Sequence, residues 1–530
     1  MHHSPSGGDF LIVPMPPNPN GTLHLGHAAG PYLRADVIAR HLRRLGNRVS
    51  VVSGSDSYEN WILLDAVRNE RSPEETCRRH HELIGADLRN LGVELDAWID
   101  PLEAPDHDPY LATHEAMLER LRERGAAVAV REEIPVSSGS GRYVVGVWLF
   151  GVCPNCGVGV SGNCCEDCGY HFQPEEVLQP RSRLDEGPLR WETVTSWFLR
   201  PPEIDEITRA IDATEAAAPI RAIATRYMAQ SKGNVRLSLP SAWGLHSGML
   251  GPESVLANSY YAYAVYCGEV YRRLHGTAQA AFERGSPVTT IGVFGVDNAI
   301  AGLVGPHAIA RLHGELKPFD HVVVNFYLNL EGEKFSTSRR HAIWVSELIE
   351  SGLVSGDEVR YHLSHAPLET EPANFSVTDF VARTNALRER LGERLTRAFA
   401  RAGRERDSAV LSAAQDALER QAQALRWDAV SLASGIAVFD RWLELRLPDE
   451  DDPAAASAWL MGLALLGEPF VPALARTVWS ALGLSGAPSA AALRDAVPAP
   501  AGSFAWPVRP LSEAELRPYV YLEGQRALSH

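Results

Sequence analysis

Long apolar runs are missing from this chain of 530 residues, and its opening MHHSPSGGDF lacks a basic segment followed by an apolar one. A membrane span needs roughly 18 consecutive apolar residues and a secretory leader needs that basic start, so the chain is expected to reside in the cytoplasm with no membrane partner. Cysteine is scarce, at 7 residues, yet five of these crowd between Cys153 and Cys168. Because a cytosolic protein seldom keeps disulfides, the crowding reads as metal ligation, and Cys77 and Cys267 read as plain buried thiols. Positive charge is in deficit as well, with a formal net charge of -16, so global charge gives no hint of a nucleic-acid partner, although a local basic groove remains compatible with it. No internal repeat is visible; LPDEDDPAAASA is the nearest approach to low complexity and reads as a loop. With 45% hydrophobic and 22% charged residues the composition excludes disordered and fibrous classes, and the length implies about two to four domains.

What is present has an α/β rhythm. Residues 10 to 15 read as a buried strand, GTLHLGHAAGPYLRADVIARHLRRLG as one amphipathic helix, and RVSVVSGSD as a second strand. Strand, turn, helix and strand begin a parallel nucleotide-binding sheet whose ligands lie beyond the carboxyl ends of the strands. The rhythm breaks over 126–245, where cysteines, short strand-like runs and scattered prolines mark an inserted domain; TTIGVFGVD and HVVVNFYLN then resume the sheet. Beyond about residue 370 the chain is rich in Ala, Leu and Arg at helical spacing. The expected architecture is therefore α/β: a Rossmann-type parallel sheet in two halves (1–125 and 246–370), an inserted zinc-binding domain (126–245) and a C-terminal α-helical bundle (371–530).

In NPNGTLHLGH, His24 and His27 stand three residues apart on the first turn of a helix and point the same way, toward a helix start that already favours anions. Such a pair would grip a phosphate. The stretch resembles the class I aminoacyl-tRNA synthetase signature, in which the histidines stabilise the pentacoordinate α-phosphate of ATP while an amino-acid carboxylate attacks. EGEKFSTSRR resembles the family's second signature, a mobile lysine loop that closes on the triphosphate: Lys334 takes the first lysine position, whereas Thr337 replaces the second, leaving one cation fewer unless Arg339 or Arg340 reaches in. The resemblance implies catalytic roles for His24, His27, Lys334 and Thr337, and ATP binding, with magnesium, by Asn20, Gly26, Gly295, Asp297, Ser336 and Ser338.

Two C-x2-C pairs, Cys153 with Cys156 and Cys165 with Cys168, can hold one tetrahedral structural Zn²⁺ between two adjacent turns. Cys164 adjoins the second pair and could exchange with Cys165; the CEDCG register, with glycine after the last ligand, favours Cys165. This knuckle and the following YHFQPEEVLQPRS resemble the connective insertion of methionyl-tRNA synthetases, as does GVD at 295–297. The likeness runs from about Phe10 to Gly483, with NFSVTDFVARTN and LGEPFVPALARTVWSALGL resembling the start and end of that family's anticodon-binding bundle.

The pattern departs at the recognition positions. Asp56 falls where the family holds the substrate's α-ammonium group, and Met15, Pro16, Asn18, Val255, Asn258, Ala262, Asn298 and Gly302 complete the implied amino-acid site. Val255, Asn258 and Ala262 stand for a tryptophan, an alanine and a tyrosine, Ala301 and Gly302 for a phenylalanine and a histidine, and Asn18 for a tyrosine. A thioether pocket depends on packed aromatic contacts, and losing several costs far more than the roughly 1 to 3 kcal/mol of one methylene. In the bundle, Arg394 falls at an anticodon-reading asparagine and Asp449 after Pro448, where a base would stack, so four carboxylates replace a platform worth about 1 to 3 kcal/mol per base.

The sequence thus leads to an ATP-dependent amino-acid-activating ligase that forms an aminoacyl adenylate and passes the acyl group to a small hydroxyl, hydroxylamine or amine acceptor. That reading resembles the synthetase-like component of hydrazine-forming systems, with a separate cupin-type protein as partner. The alternative is a divergent methionyl-tRNA synthetase with tRNA as acceptor. A non-catalytic scaffold is disfavoured by the retained His24, His27, Asp56 and Lys334.

Overall fold

The computed structural model describes residues 7–165, 167–185, 187–200, 204–214, 216–257, 259–337, 339–449, 451–494 and 506–523. Its centre is a five-stranded parallel sheet built on the apolar run Asp9–Pro14, which pairs with Arg48–Gly54 on one side and Thr289–Gly295 on the other. Ala97–Ile99 and His321–Asn325 complete the two edges. Phe10, Leu11, Ile12 and Val13 are fully buried, as expected of a central strand covered on both faces.

The single helix expected after the first strand is broken. A short helix, Leu25–His27, passes through a widened turn, Ala28–Tyr32, into the helix Leu33–Arg44. Pro31 removes a backbone donor and its ring blocks the preceding turn, and Gly30 takes up the strain with a non-helical ψ of -121°. Widened turns of this kind recur at functional sites.

The inserted region opens with a long antiparallel pair, Ala127–Ser137 against Leu189–Leu199. It encloses a three-stranded sheet of Leu149–Val152, Gly159–Ser161 and Leu178–Ser182, around which the cysteines lie. That sheet's small core, including Val147, Trp148, Val160 and Phe172, packs on Trp61, Leu63 and Leu64. The knuckle is therefore fastened to the segment directly after the SGSD turn.

The C-terminal region is helical. Pro453–Gly467 runs through its middle with every residue from Ala455 to Gly467 buried, packed among Val377–Arg401, Ser408–Ala424, Leu432–Leu443 and Pro472–Ala481. One apolar core joins Leu23, Leu25 and Leu33 of the histidine segment to Phe335 and Trp344 and on into the bundle. A buried ion network crosses the same seam: Asp36 accepts from Arg40 at 2.7 Å and Arg360 at 2.6 Å, and Arg40 reaches Glu468 at 2.8 Å. Burial alone would raise the Asp36 pKa, but Arg40 and Arg360 outweigh it and hold the carboxyl below its ordinary value. No helix among the described residues is long and apolar enough to cross a membrane.

Candidate active site

The chain crosses to opposite sides of the sheet from Asp9–Pro14 and Thr289–Gly295, so a crevice opens beyond their carboxyl ends, the place where open α/β sheets take ligands. On one lip, Met15 extends the sheet, donating its N–H to the Val293 carbonyl at 2.8 Å and accepting the Tyr32 hydroxyl on its own carbonyl at 3.1 Å. Pro16 is buried, Asn18 is half-buried, and Asn20 donates to the Trp61 carbonyl. On the other lip, Gly295 begins the turn bearing exposed Asp297 and half-buried Asn298. The Asp297 carboxylate folds back over Gly295, close to where a Cβ would stand.

His24 caps the short helix: its Nδ1 accepts the His27 N–H at 3.2 Å, which leaves Nε2 to carry the proton of the neutral ring. The two imidazoles stack with centroids 3.6 Å apart. His24 is held well below its ordinary pKa, first by burial and then by His27 and Lys334, so both rings act as neutral hydrogen-bond donors.

The KFSTS loop closes over this turn. Phe335, buried, lies 5.1 Å from the His24 ring, and a Cβ at Gly26 would meet it at 3.0 Å, so Gly26 is the small residue the loop needs. A Cβ at Gly21 would likewise meet the Thr337 methyl at 3.0 Å. The Lys334 ammonium sits 4.5 Å from the Tyr327 ring centre, and Ser336 pairs through its backbone with His341. Leu25 donates to Ile343 and Val345 to Leu23, locking the histidine turn to the segment after the loop. His24, His27, Lys334, Gly26, Thr337 and Ser336, far apart in sequence, thus converge. Ser338 lies outside the described residues.

Asp56 lies at the carboxyl end of Arg48–Gly54, its N–H on the Pro17 carbonyl at 2.9 Å and its carboxylate facing Ser259 at 3.4 Å. Burial first, and the neighbouring Glu59 second, raise its pKa well above the ordinary carboxylate range. A carboxyl in that state gains most from a cationic partner. Glu59 escaped sequence reasoning, as did an aromatic row beside this turn, in which Tyr58 stacks with both Tyr110 and Trp243. Val255 is buried on a short strand, Ala262 is buried in the helix Tyr260–His275, and Phe294 packs so closely on Gly302 that a Cβ there would meet it at 2.4 Å. Asn258 lies outside the described residues.

The sulfurs of Cys153, Cys156, Cys165 and Cys168 lie within 4.8 Å of one another, with Cys153 and Cys168 3.8 Å apart and Cys156 and Cys165 3.6 Å apart. Zn–S bonds of about 2.3 Å in a tetrahedron require sulfur separations of about 3.8 Å, so the donor set fits a closed zinc site. These separations are too long for disulfides.

In the bundle, Arg394 is engaged internally: it donates to the Leu443 and Leu445 carbonyls at the end of the helix Leu432–Leu443 and lies over the Trp459 ring at 4.4 Å. Asp449 accepts from the Asp451 N–H, Asp451 pairs with Arg401, and Asp452 caps the helix Pro453–Gly467.

Sheet, crevice and paired loops define a nucleotide-binding core of the class I synthetase type. The chain belongs to the family of class I tRNA synthetases (M), whose model matches residues 11–399. It is 30% identical over 396 residues to a methionine–tRNA ligase of Roseiflexus sp. (strain RS-1), covering 71% of this chain and 66% of that one. It is 25% identical over 525 residues to the methionine–tRNA ligase of Chlorobaculum tepidum, covering 90% and 73%. The chain spans just under two thirds of the Roseiflexus ligase and 55% of the Porphyromonas gingivalis one. Among solved structures, Mycobacterium tuberculosis methionyl-tRNA synthetase in complex with methionyl-adenylate shares the fold, with a TM-score of 0.70 at 18% identity over 94% of this chain and 98% of that one.

Proposed function

We propose that this protein is an ATP-dependent ligase of the methionyl-tRNA synthetase type, activating an amino acid as its adenylate and transferring the acyl group to tRNA. The observation that carries the reading is the convergence of His24, His27 and the Lys334 loop at the crevice beyond the central strands. The substrate carboxylate attacks the α-phosphorus; a P–O bond forms, the bridging bond to the β-phosphate breaks, and pyrophosphate leaves. Nothing covalent is asked of the protein. Nε2–H of His24 and the His27 ring donate to α-phosphate oxygens as charge builds, Lys334 faces the β- and γ-phosphates, and Asp56 holds the α-ammonium group. Magnesium carried with ATP would share neutralisation of the leaving pyrophosphate. The cysteine cluster would hold zinc in a purely structural role.

The curated relatives are methionine–tRNA ligases, which favours tRNA over the small-molecule acceptor and lends no support to a cupin-type partner. A second reading, transfer to a small hydroxyl, hydroxylamine or amine, draws on one observation: Arg394 is spent on the helix end and Trp459, beside a loop of carboxylates, where the family reads an anticodon. The test is pyrophosphate exchange into ATP without tRNA across methionine, glycine, alanine and glutamate, followed by charging of tRNA transcripts. Methionine-dependent exchange with charging supports the first reading. Exchange with another amino acid and no charging supports the second, and no exchange with any amino acid overturns both.

A further inference from the structure

The segment 506–523 returns from the bundle to the KFSTS loop. Ala342 and Tyr521 exchange both backbone hydrogen bonds at 2.9 Å, a single antiparallel bridge that ties the tail to the segment after the loop. The Glu523 N–H donates to His341 Nδ1 at 3.1 Å, and the Tyr521 hydroxyl donates to Glu347 at 3.0 Å. Two side chains of the tail then engage the two arginines that follow Thr337. The Glu523 carboxylate pairs with Arg339 at 2.8 Å, and the Tyr521 ring lies under Arg340 with 5.5 Å from guanidinium carbon to ring centre. Arg340 holds a left-handed backbone, φ 52°, that an arginine rarely adopts, and the tail packs on the residue so placed.

We infer that Glu523 restrains nucleotide binding: its carboxylate holds Arg339 at the edge of the loop as an internal anion that the ATP triphosphate must replace. The inference rests on the activation reading above. Thr337 contributes no charge, so Arg339 is the next cation along the loop, tied to it also through the Lys334 carbonyl at 3.3 Å. Arg339 and Glu523 are 41% and 51% exposed, so their pair is weak, of a strength a magnesium-bound triphosphate overcomes. The Arg340 guanidinium lies over the Tyr521 ring instead, so Arg339 is the arginine paired with a tail carboxylate.

The test compares wild type, Glu523→Gln, Arg339→Gln and the double variant, by pyrophosphate exchange and by direct calorimetric titration with Mg-ATP. Glu523→Gln is expected to lower KM and Kd for ATP about two- to fivefold, with kcat and KM for the amino acid unchanged and the effect fading as salt rises. Arg339→Gln is expected to raise both ATP constants, and the double variant to match Arg339→Gln alone. Glu513→Gln, which removes the charge from the tail carboxylate that accepts from Thr378 far from the loop, controls for loss of a tail carboxylate in general and is expected to change neither constant. Unchanged or weaker ATP binding in Glu523→Gln overturns the inference. So does an effect that survives in the Arg339→Gln background or recurs in Glu513→Gln. Absent exchange with tighter ATP binding in Glu523→Gln would fell the activation reading and leave the internal anion standing.

Discussion

Replacing His24 by Asn separates the two tasks of this residue. Its Nδ1 caps the short helix through the His27 N–H, while Nε2–H is the donor free for phosphate. Asparagine is among the best capping residues, so the cap survives. What the fold loses is ring contact with His27 at 3.6 Å and Phe335 at 5.1 Å, about 0.5 to 1.5 kcal/mol. The reaction loses one preorganised donor at the point where negative charge develops, which typically costs about 10²- to 10³-fold in kcat, or about 2.7 to 4 kcal/mol. The expected outcome is a small drop in melting temperature, a 10²- to 10³-fold fall in the pyrophosphate exchange rate, and nearly unchanged KM values. His24→Ala should lose the cap as well and cost roughly 1 kcal/mol more in stability at similar activity. Exchange within about threefold of wild type in His24→Asn would refute the donor role. A stability loss as large as the activity loss would refute the separation of tasks.

Cys156→Ser should take bound zinc, measured by elemental analysis, from one equivalent to none and raise KM for the amino acid, because the knuckle packs on Trp61 just beyond the Asp56 turn. Zinc retained in Cys156→Ser but lost in Cys164→Ser would show that the ligand set is misassigned. Buried His114 and His321 have pKa values lowered to about 4 by desolvation, so below the unfolded value of about 6.5 the unfolded chain takes up protons that the folded one refuses. Stability should be full above that pH and fall on the way toward pH 4, by on the order of a few kcal/mol per histidine; urea melts at pH 7, 6 and 5 read it, and a His114→Phe variant with an unflattened slope would count against it. Arg394→Met should cost about 2 to 4 kcal/mol in urea denaturation, through two charged donors to helix-end carbonyls and the Trp459 contact, with amino-acid activation unaffected.

Arrangements carried by neighbouring residues are legible in the sequence. The histidine turn, the two cysteine pairs and the β-strand runs each lie within a dozen residues, and local rules of spacing and burial suffice to read them. The broken helix at Ala28–Tyr32 was signalled by Gly30-Pro31 but overruled by the apolar periodicity around it. Contacts between distant parts of the chain left no local mark. Nothing about Glu523 or Tyr521 announces a loop almost two hundred residues upstream, and nothing about Arg394 separates a residue that reads a base from one that finishes a helix. Glu59 looks like any exposed turn acid until the fold seats it beside Asp56.

The buried ions between the sheet and the bundle make the chain indivisible at that seam. A fragment ending before Glu468 would leave Arg40 without one of its two buried partners, and one ending before Arg360 would also strip Asp36 of the cation 2.6 Å away. Taking one partner from a buried ionic network costs up to several kcal/mol, a large share of the stability of a domain. Shortening this chain to its sheet-bearing part would therefore require redesigning the face of the helix Leu33–Arg44 rather than cutting a linker, and swapping in a foreign bundle would succeed only where it carries its own carboxylate to meet Arg40.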